Sequence, residues 1–253
     1  MNPSKLFPFR RALERPRLRL FCLPYAGGSA AMYRPWVEAF GPEVEVCPVE
    51  MAGRGVRMAE PPVRDMKRLC DFLVGPVAEL AGQVPIVFFG HSMGARISFE
   101  LACRLGDKVR HLVASGSSAP EIPARLGAEQ GAKPIALLTD EEFRLRLRTL
   151  GGTPLEILDN DEMMERVLPV VRADFILVER YRAAPQAQLS VPLTVLRGTE
   201  DPGVSYPDAE RWQLRTSAAF RLKEISGGHF FLESQRDAVL AEVKRDLSAL
   251  LAG

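Results

Sequence analysis

Apolar positions along the chain fall into short continuous runs separated by longer stretches with helical spacing. Leu18-Arg19-Leu20-Phe21-Cys22-Leu23 reads as a strand ending at Pro24, and Val44-Glu45-Val46-Cys47-Pro48-Val49 as another. Between them the glycine-rich turn Tyr25-Ala26-Gly27-Gly28-Ser29 opens into a helix around Met32 to Phe40. The spacing then predicts a helix from Met66 to Leu80, a strand from Val84 to Phe89, a helix from Ala95 to Leu105 and a strand from Val109 to Ser115. Unbroken runs rich in branched and aromatic residues suit strands buried on both faces. Strand and helix in regular alternation predict an α/β fold with a mostly parallel central sheet flanked by helices.

From about Ala119 to Ala184 the rhythm breaks. Thr139-Asp140-Glu141-Glu142 is a capping box opening a helix that runs to Gly151-Gly152, and Asn160 to Arg182 reads as a helix interrupted at Pro169. No strand pattern occurs there. Leu137, Leu138, Phe143, Leu147, Leu150, Met164, Val167 and Leu168 make this insertion unusually apolar. It reads as a helical lid over 119–185, laid across the catalytic face; a helical extension on the sheet edge is the alternative. Alternation resumes with a strand at Leu193 to Leu196, a helix at Ala209 to Arg215, a strand at Phe220 to Ile225 and a closing helix from Gln235 to Leu251. The expected organisation is one domain over 1–253, with its core at about 17–118 and 186–253.

A length of 253 residues, 47% of them hydrophobic, is enough for one large core. The 33 basic and 32 acidic residues nearly cancel, which gives no field of the kind a nucleic-acid binder needs. No apolar run reaches membrane-spanning length and none resembles the core of a signal peptide, so neither membrane insertion nor export is expected. Cys22, Cys47, Cys70 and Cys103 lack metal or redox spacing, three of them lying in apolar runs, which fits buried thiols in a reducing cytoplasm. The basic start of the chain, with Arg10, Arg11, Arg15, Arg17 and Arg19, reads as a solvated leader or as an arm for an acidic partner.

One motif carries chemistry. Gly90-His91-Ser92-Met93-Gly94 is a G-x-S-x-G directly after a predicted strand and before a predicted helix, which marks Ser92 as a nucleophile on a sharp turn. A serine hydroxyl needs a base to take its proton and an acid to orient that base. Only three histidines are available. His91 is inside the turn and points away from the serine, and His111 opens a strand and reads as a surface residue. His229, in Gly227-Gly228-His229-Phe230-Phe231, lies just beyond a strand, where catalytic groups gather in open α/β sheets. The acid is expected between nucleophile and histidine, the chain order of α/β-hydrolases. Asp201 follows a strand in such a turn; Glu200 is its nearest rival, and Asp208 and Asp237 fall in predicted helices. Two backbone donors must hold the oxyanion. The N–H of Met93 is one, and the loop after the first strand supplies the other, from Ala26 or alternatively Gly27.

These residues resemble the stand-alone type II thioesterases of polyketide synthase and nonribosomal peptide synthetase systems, within the α/β-hydrolase fold. The match includes Cys22 to Ser29, Gly53-Arg54-Gly55-Val56-Arg57, the serine turn, Leu150-Gly151-Gly152-Thr153-Pro154, Leu168 to Phe175, Gly198-Thr199-Glu200-Asp201 and Gly227 to Phe231. The chain departs at Glu50-Met51-Ala52, where Leu-Pro is usual before the Gly-Arg pair, and at Arg96, where an apolar residue is usual. The resemblance implies hydrolysis of acyl thioesters on the phosphopantetheine arms of acyl or peptidyl carrier domains, clearing stalled units. It implies a mobile lid over an acyl chamber, a monomer, and no metal or redox cofactor, the phosphopantetheine being part of the substrate. A medium-chain fatty acyl thioesterase, a generic serine esterase and a catalytically silent carrier-binding scaffold are the competing functions.

Overall fold

The structure is a computed structural model that describes residues 3–124 and 133–252. Among these, six strands form one parallel sheet: β1 (Leu18–Leu23), β2 (Val44–Pro48), β3 (Ile86–His91), β4 (Val109–Ser115), β5 (Leu193–Gly198) and β6 (Phe220–Ile225), in the order β2-β1-β3-β4-β5-β6. The chain moves outward from β1 to β2, returns past β1 to β3, then proceeds to β6. That reversal makes the gap between β1 and β3 the switch point of the sheet, where loops part and a ligand can enter. Leu23 pairs with Gly90, so the glycine-rich turn after β1 and the serine turn after β3 emerge side by side.

The helices are α1 (Pro3–Leu6), α2 (Met66–Ala81), α3 (Met93–Leu105), α4 (Asp140–Leu150), α5 (Leu155–Leu158), α6 (Asp161–Arg180), α7 (Tyr206–Glu210), α8 (Phe231–Ser234) and α9 (Arg236–Ala252). Strand side chains alternate between faces. Phe21, Leu23, Phe88 and Leu112 pack under α2 and α3 with Leu73, Val77, Ile97 and Phe99. Leu20, Cys22, Val87 and Phe89 face the opposite way, against Tyr33, Trp36 and the α9 residues Val239, Val243 and Leu247. No helix among the described residues is long and apolar enough to cross a membrane.

The insertion has its own core of Phe143, Leu147, Leu158, Met164, Leu168, Val171, Phe175 and Ile176. Its capping box is present, with Thr139 Oγ1 accepting the Glu142 N–H and the Glu142 carboxylate accepting the Thr139 N–H. No strand lies within 119–185 among the described residues; residues 125–132 of the expected lid fall outside them.

Several expectations are corrected. The segment expected as a helix from Met32 to Phe40 is a 3-10 turn over Ala30–Trp36, because Pro35 lacks the N–H that an α-helical ladder would use. The helix at Ala209 to Arg215 is instead α7 followed by a 3-10 turn over Arg211–Arg215. Pro169 does not interrupt α6, whose buried face, including Leu168, Val171 and Phe175, offsets one missing hydrogen bond. His111 is buried, with Nε2 3.1 Å from Thr194 Oγ1 and 3.4 Å from Asp246. The basic start is packed in part rather than a fully solvated leader, with Arg11, Arg15 and Arg17 still exposed. Leu6 and Phe7 enter the core, and Arg10 and Arg19 converge on the buried carboxylate of Glu45, while Arg11 and Arg17 pair with Glu38 and Glu43. Cys22, Cys47 and Cys70 are buried and Cys103 is exposed, all as free thiols.

Candidate active site

Ser92 sits between β3 and α3 with φ 54° and ψ −111°, and it is the one non-glycine residue with positive φ among those described. Such a conformation is strained for an L-residue and persists only when its surroundings impose it. The surroundings are explicit. A Cβ on Gly90 would lie 2.2 Å from the Gly94 carbonyl group, and a Cβ on Gly94 would lie 2.1 Å from the Leu23 oxygen. Both positions must therefore be glycine for β1, β3 and α3 to close on one another. The Ser92 N–H donates to the Ser115 carbonyl at 2.7 Å, which pins the turn to the end of β4.

The three expected side chains meet. His229 Nε2 lies 3.0 Å from Ser92 Oγ, and His229 Nδ1 lies 2.7 Å from Asp201 Oδ2. An ionised carboxylate only accepts, so Nδ1 carries the proton and Nε2 is left to accept from the serine hydroxyl. Asp201 is buried, and its Oδ1 accepts the Gly203 N–H at 2.8 Å. Glu200, its rival, is exposed and contributes its backbone N–H to Gly227 rather than its carboxylate to the histidine. Close approach of the two loops depends on Gly198, where a Cβ would meet the Gly227 and Gly228 oxygens at 2.7 and 2.6 Å.

The two candidate donors also converge at this end of the sheet. Met93 opens α3, and the first N–H groups of a helix have no partner within it. In the loop after β1 the competing amides are taken. Gly28 N–H donates to Tyr25 O at 2.9 Å, and Gly27 N–H donates to Asp174 Oδ2 at 2.8 Å. This occupancy favours Ala26 over Gly27 as the amide left for a ligand.

Three further residues shape the site without having been read as functional. His91 is fully buried and does point away from Ser92, yet its Nε2 lies 2.9 Å from the His229 carbonyl and its Nδ1 2.9 Å from Ser115 Oγ. A carbonyl only accepts, so His91 Nε2 donates and Nδ1 accepts from the Ser115 hydroxyl. Burial, with the nearby His229 adding to it, pulls the His91 pKa down to about 3, so the ring stays neutral. Arg54 and Asp174, 120 residues apart in sequence, form a two-pronged pair at 2.7 and 2.8 Å. Both lie inside segments that carried the family resemblance, which was the one available signal for them.

The remaining motifs and departures also find places. Gly152 of the insertion packs against Phe230, beside His229; a Cβ there would meet Phe230 Cζ at 2.1 Å. Glu50 is buried beneath the loop that carries Arg54, accepts the Ala30 N–H at 3.2 Å, and has its pKa raised by that burial. Arg96 is buried and donates to Ser118 Oγ and Ile122 O, both at 2.9 Å, tying α3 to the segment that leads into the insertion.

Comparison with known proteins agrees with this geometry. The sequence profile of the thioesterase domain matches residues 18–247. The chain is 36% identical to the linear gramicidin dehydrogenase LgrE of Brevibacillus parabrevis, over 100% of this chain and 96% of that one. It is 37% identical to the gramicidin S biosynthesis protein GrsT of Aneurinibacillus migulanus, over 98% and 96%. Among solved structures, the type II thioesterase BorB from the borrelidin biosynthetic cluster superposes with a TM-score of 0.80 at 36% identity, covering 93% of this chain and 94% of that one. A parallel sheet with a serine turn at its switch point, and a thioesterase profile spanning nearly all of it, establish that this chain belongs to the thioesterase family.

Proposed function

We propose that the chain hydrolyses acyl thioesters on the phosphopantetheine arms of carrier domains, with Ser92 as nucleophile, and so removes stalled or aberrant acyl units during polyketide or nonribosomal peptide assembly. The observation that carries this reading is the hydrogen-bonded series Ser92–His229–Asp201 at 3.0 and 2.7 Å. His229 takes the hydroxyl proton as Ser92 Oγ attacks the thioester carbon. The oxyanion accepts from the N–H groups of Met93 and Ala26, each such donor contributing roughly 3 to 4 kcal/mol to the transition state. The C–S bond breaks, and the leaving thiolate takes the proton from His229. A water then gives its proton to His229 and attacks the acyl-serine, a second oxyanion uses the same donors, and the carboxylic acid leaves as Ser92 recovers its proton. Asp201 holds the tautomer and stabilises the imidazolium in both halves.

Every group in this scheme belongs to one chain, so a monomer suffices, and the scheme calls on no metal or redox cofactor. The insertion acts as the lid of the acyl chamber, a role supported by its contacts with Gly27 and Phe230 at the catalytic end of the sheet. GrsT is by its name a gramicidin S biosynthesis protein and BorB a type II thioesterase from the borrelidin biosynthetic cluster, which supports the carrier-bound substrate.

A panel of acyl groups loaded on carrier domains tests the reading. Ser92→Ala is expected to lower release by about 10⁴-fold or more. Release unchanged in the variant would sink the nucleophile assignment, and a strong preference for matched oxoesters over thioesters would turn the reading towards a general esterase.

A further inference from the structure

We propose that Asp174 and Arg54 are positioning residues for the oxyanion hole, acting through the backbone of the loop that carries Ala26; the inference rests on the serine mechanism above. Asp174 is on α6, the long helix of the insertion, and is only 4% exposed. Its Oδ2 accepts two hydrogen bonds, from Gly27 N–H at 2.8 Å and from Arg54 Nη1 at 2.7 Å, while Oδ1 accepts from Arg54 Nη2 at 2.8 Å. Arg54 Nη1 also reaches the Gly28 carbonyl at 2.8 Å. The pair therefore grips the loop after β1 from both sides of one peptide unit, at the amide of Gly27 and the carbonyl of Gly28.

This grip has two consequences for catalysis. First, it selects the donor. With Gly27 N–H taken by Asp174, the preceding amide, that of Ala26, is the one left to serve the oxyanion. Second, it sets the aim of that amide. The loop is glycine-rich and Gly27 has φ +82°, so without an external hold its peptide planes would rotate at little cost. Transition-state stabilisation by a backbone N–H requires the donor to be fixed before the charge appears. A carboxylate between a guanidinium and an amide is a stiff anchor, because charge-assisted bidentate pairs are short and directional. Val171, one turn earlier on α6, adds a steric stop: a Cβ on Gly27 would meet its Cγ2 at 3.2 Å.

The anchor also makes the insertion a part of the catalytic apparatus as well as its cover. The carboxylate that orients the hole comes from α6, whose preceding turns, with Met164, Leu168 and Val171, lie in the insertion's own core. Docking of that helix on the sheet and completion of the hole are then a single event.

The test compares Asp174→Asn, Arg54→Lys and Ser92→Ala in the full chain on an acyl-carrier thioester, with a trifluoromethyl ketone analogue that forms a tetrahedral adduct on the serine. Asp174→Asn keeps the shape of the side chain but loses the charge and one acceptor. Expected are a thermal midpoint within a few degrees of wild type and kcat reduced about ten- to a hundredfold. KM should change less than about twofold, because acylation and deacylation use the same hole and slow together. The inhibition constant of the ketone should rise by the same factor as kcat falls, with the pH limb of the reaction unmoved. Arg54→Lys should move the same quantities in the same direction. Unchanged kcat in Asp174→Asn, or a loss of kcat without loss of ketone affinity, would overturn the proposal while leaving the nucleophile assignment intact. Full release by Ser92→Ala would instead remove the mechanism on which it rests.

Discussion

The serine turn and the helical insertion meet over the same catalytic groups, yet they are held by opposite means. The turn is held by steric exclusion. Gly90 and Gly94 sit where any side chain would overlap backbone atoms of Gly94, Leu23 and Pro24, and those backbones belong to strands and a helix that cannot move independently. The insertion is held by side-chain contacts, with the end of α6 buried in the main core through Leu177, Val178 and Tyr181. It carries its own apolar core, and it meets the catalytic loops through Asp174, Val171 and the packing of Gly152 on one side chain, Phe230. The serine turn is thus fixed by backbone exclusion, and the insertion's junction with the catalytic loops by side-chain contacts.

The largest expected effect breaks the comparison at its rigid end. In Gly94→Ala the new Cβ would lie 2.1 Å from Leu23 O, which also accepts from Tyr33 Oη, so no small adjustment relieves it. The substitution is expected to cost about 4 kcal/mol or more, read by denaturant unfolding, in line with overlaps that a core cannot absorb. A soluble variant unfolding at the wild-type midpoint would show that the turn is not held sterically.

An intermediate effect is expected at His91, which belongs to the rigid half but acts by hydrogen bonding. His91→Phe preserves ring volume while leaving the His229 carbonyl without its donor, and kcat is expected to fall about ten- to a hundredfold through misplacement of the base. The same residue predicts a pH signature. Its folded pKa, near 3, is below the ordinary 6.5, so below pH 6.5 the unfolded chain binds a proton that the folded chain refuses. Its contribution to stability is whole above pH 6.5 and is lost as pH falls towards 3. By pH 5 the loss is about 2 kcal/mol. The difference in unfolding free energy between pH 7 and pH 5 should shrink by about that amount in His91→Phe; an unaltered difference would mean that the folded ring is protonated.

The smallest effect probes the half held by side chains. In Gly152→Ala the obstacle is the end of the Phe230 ring, 2.1 Å away, which can swing aside. With φ +78° adding strain, the cost should be about 1 to 2 kcal/mol with a few-fold rise in KM. Phe230→Ala in the same background should recover the packing part of that loss in a thermal midpoint. A collapse as severe as that of Gly94→Ala would mean that the insertion is held as rigidly as the turn.

What was legible in the sequence follows the same division. The runs at Leu18 and Val109 predict their strands residue for residue, because a short, mostly apolar segment between turn residues has few other uses. Ser92, His229 and Asp201 were legible because each lies in a turn after a predicted strand, and the chain holds few other candidates. The role of His91 is not legible locally: the sequence shows that it points away from the serine but not that the His229 carbonyl lies on its other side. His111 read as a surface residue after Lys108, Val109 and Arg110, yet Asp246 from α9 and Thr194 from β5 enclose it. The arginines at the start of the chain looked unpartnered because Glu38, Glu43 and Glu45 reach them only once β2 lies beside β1.

By itself, the sequence determined the alternation of elements and singled out Ser92, His229 and Asp201 as the candidate catalytic groups, since these depend on local spacing and on turn chemistry within a few residues. Only the tertiary structure showed which amide of the loop after β1 is already taken. The Gly27 N–H goes to a carboxylate 147 residues away, and no local pattern encodes a contact that exists only after α6 has docked on the sheet.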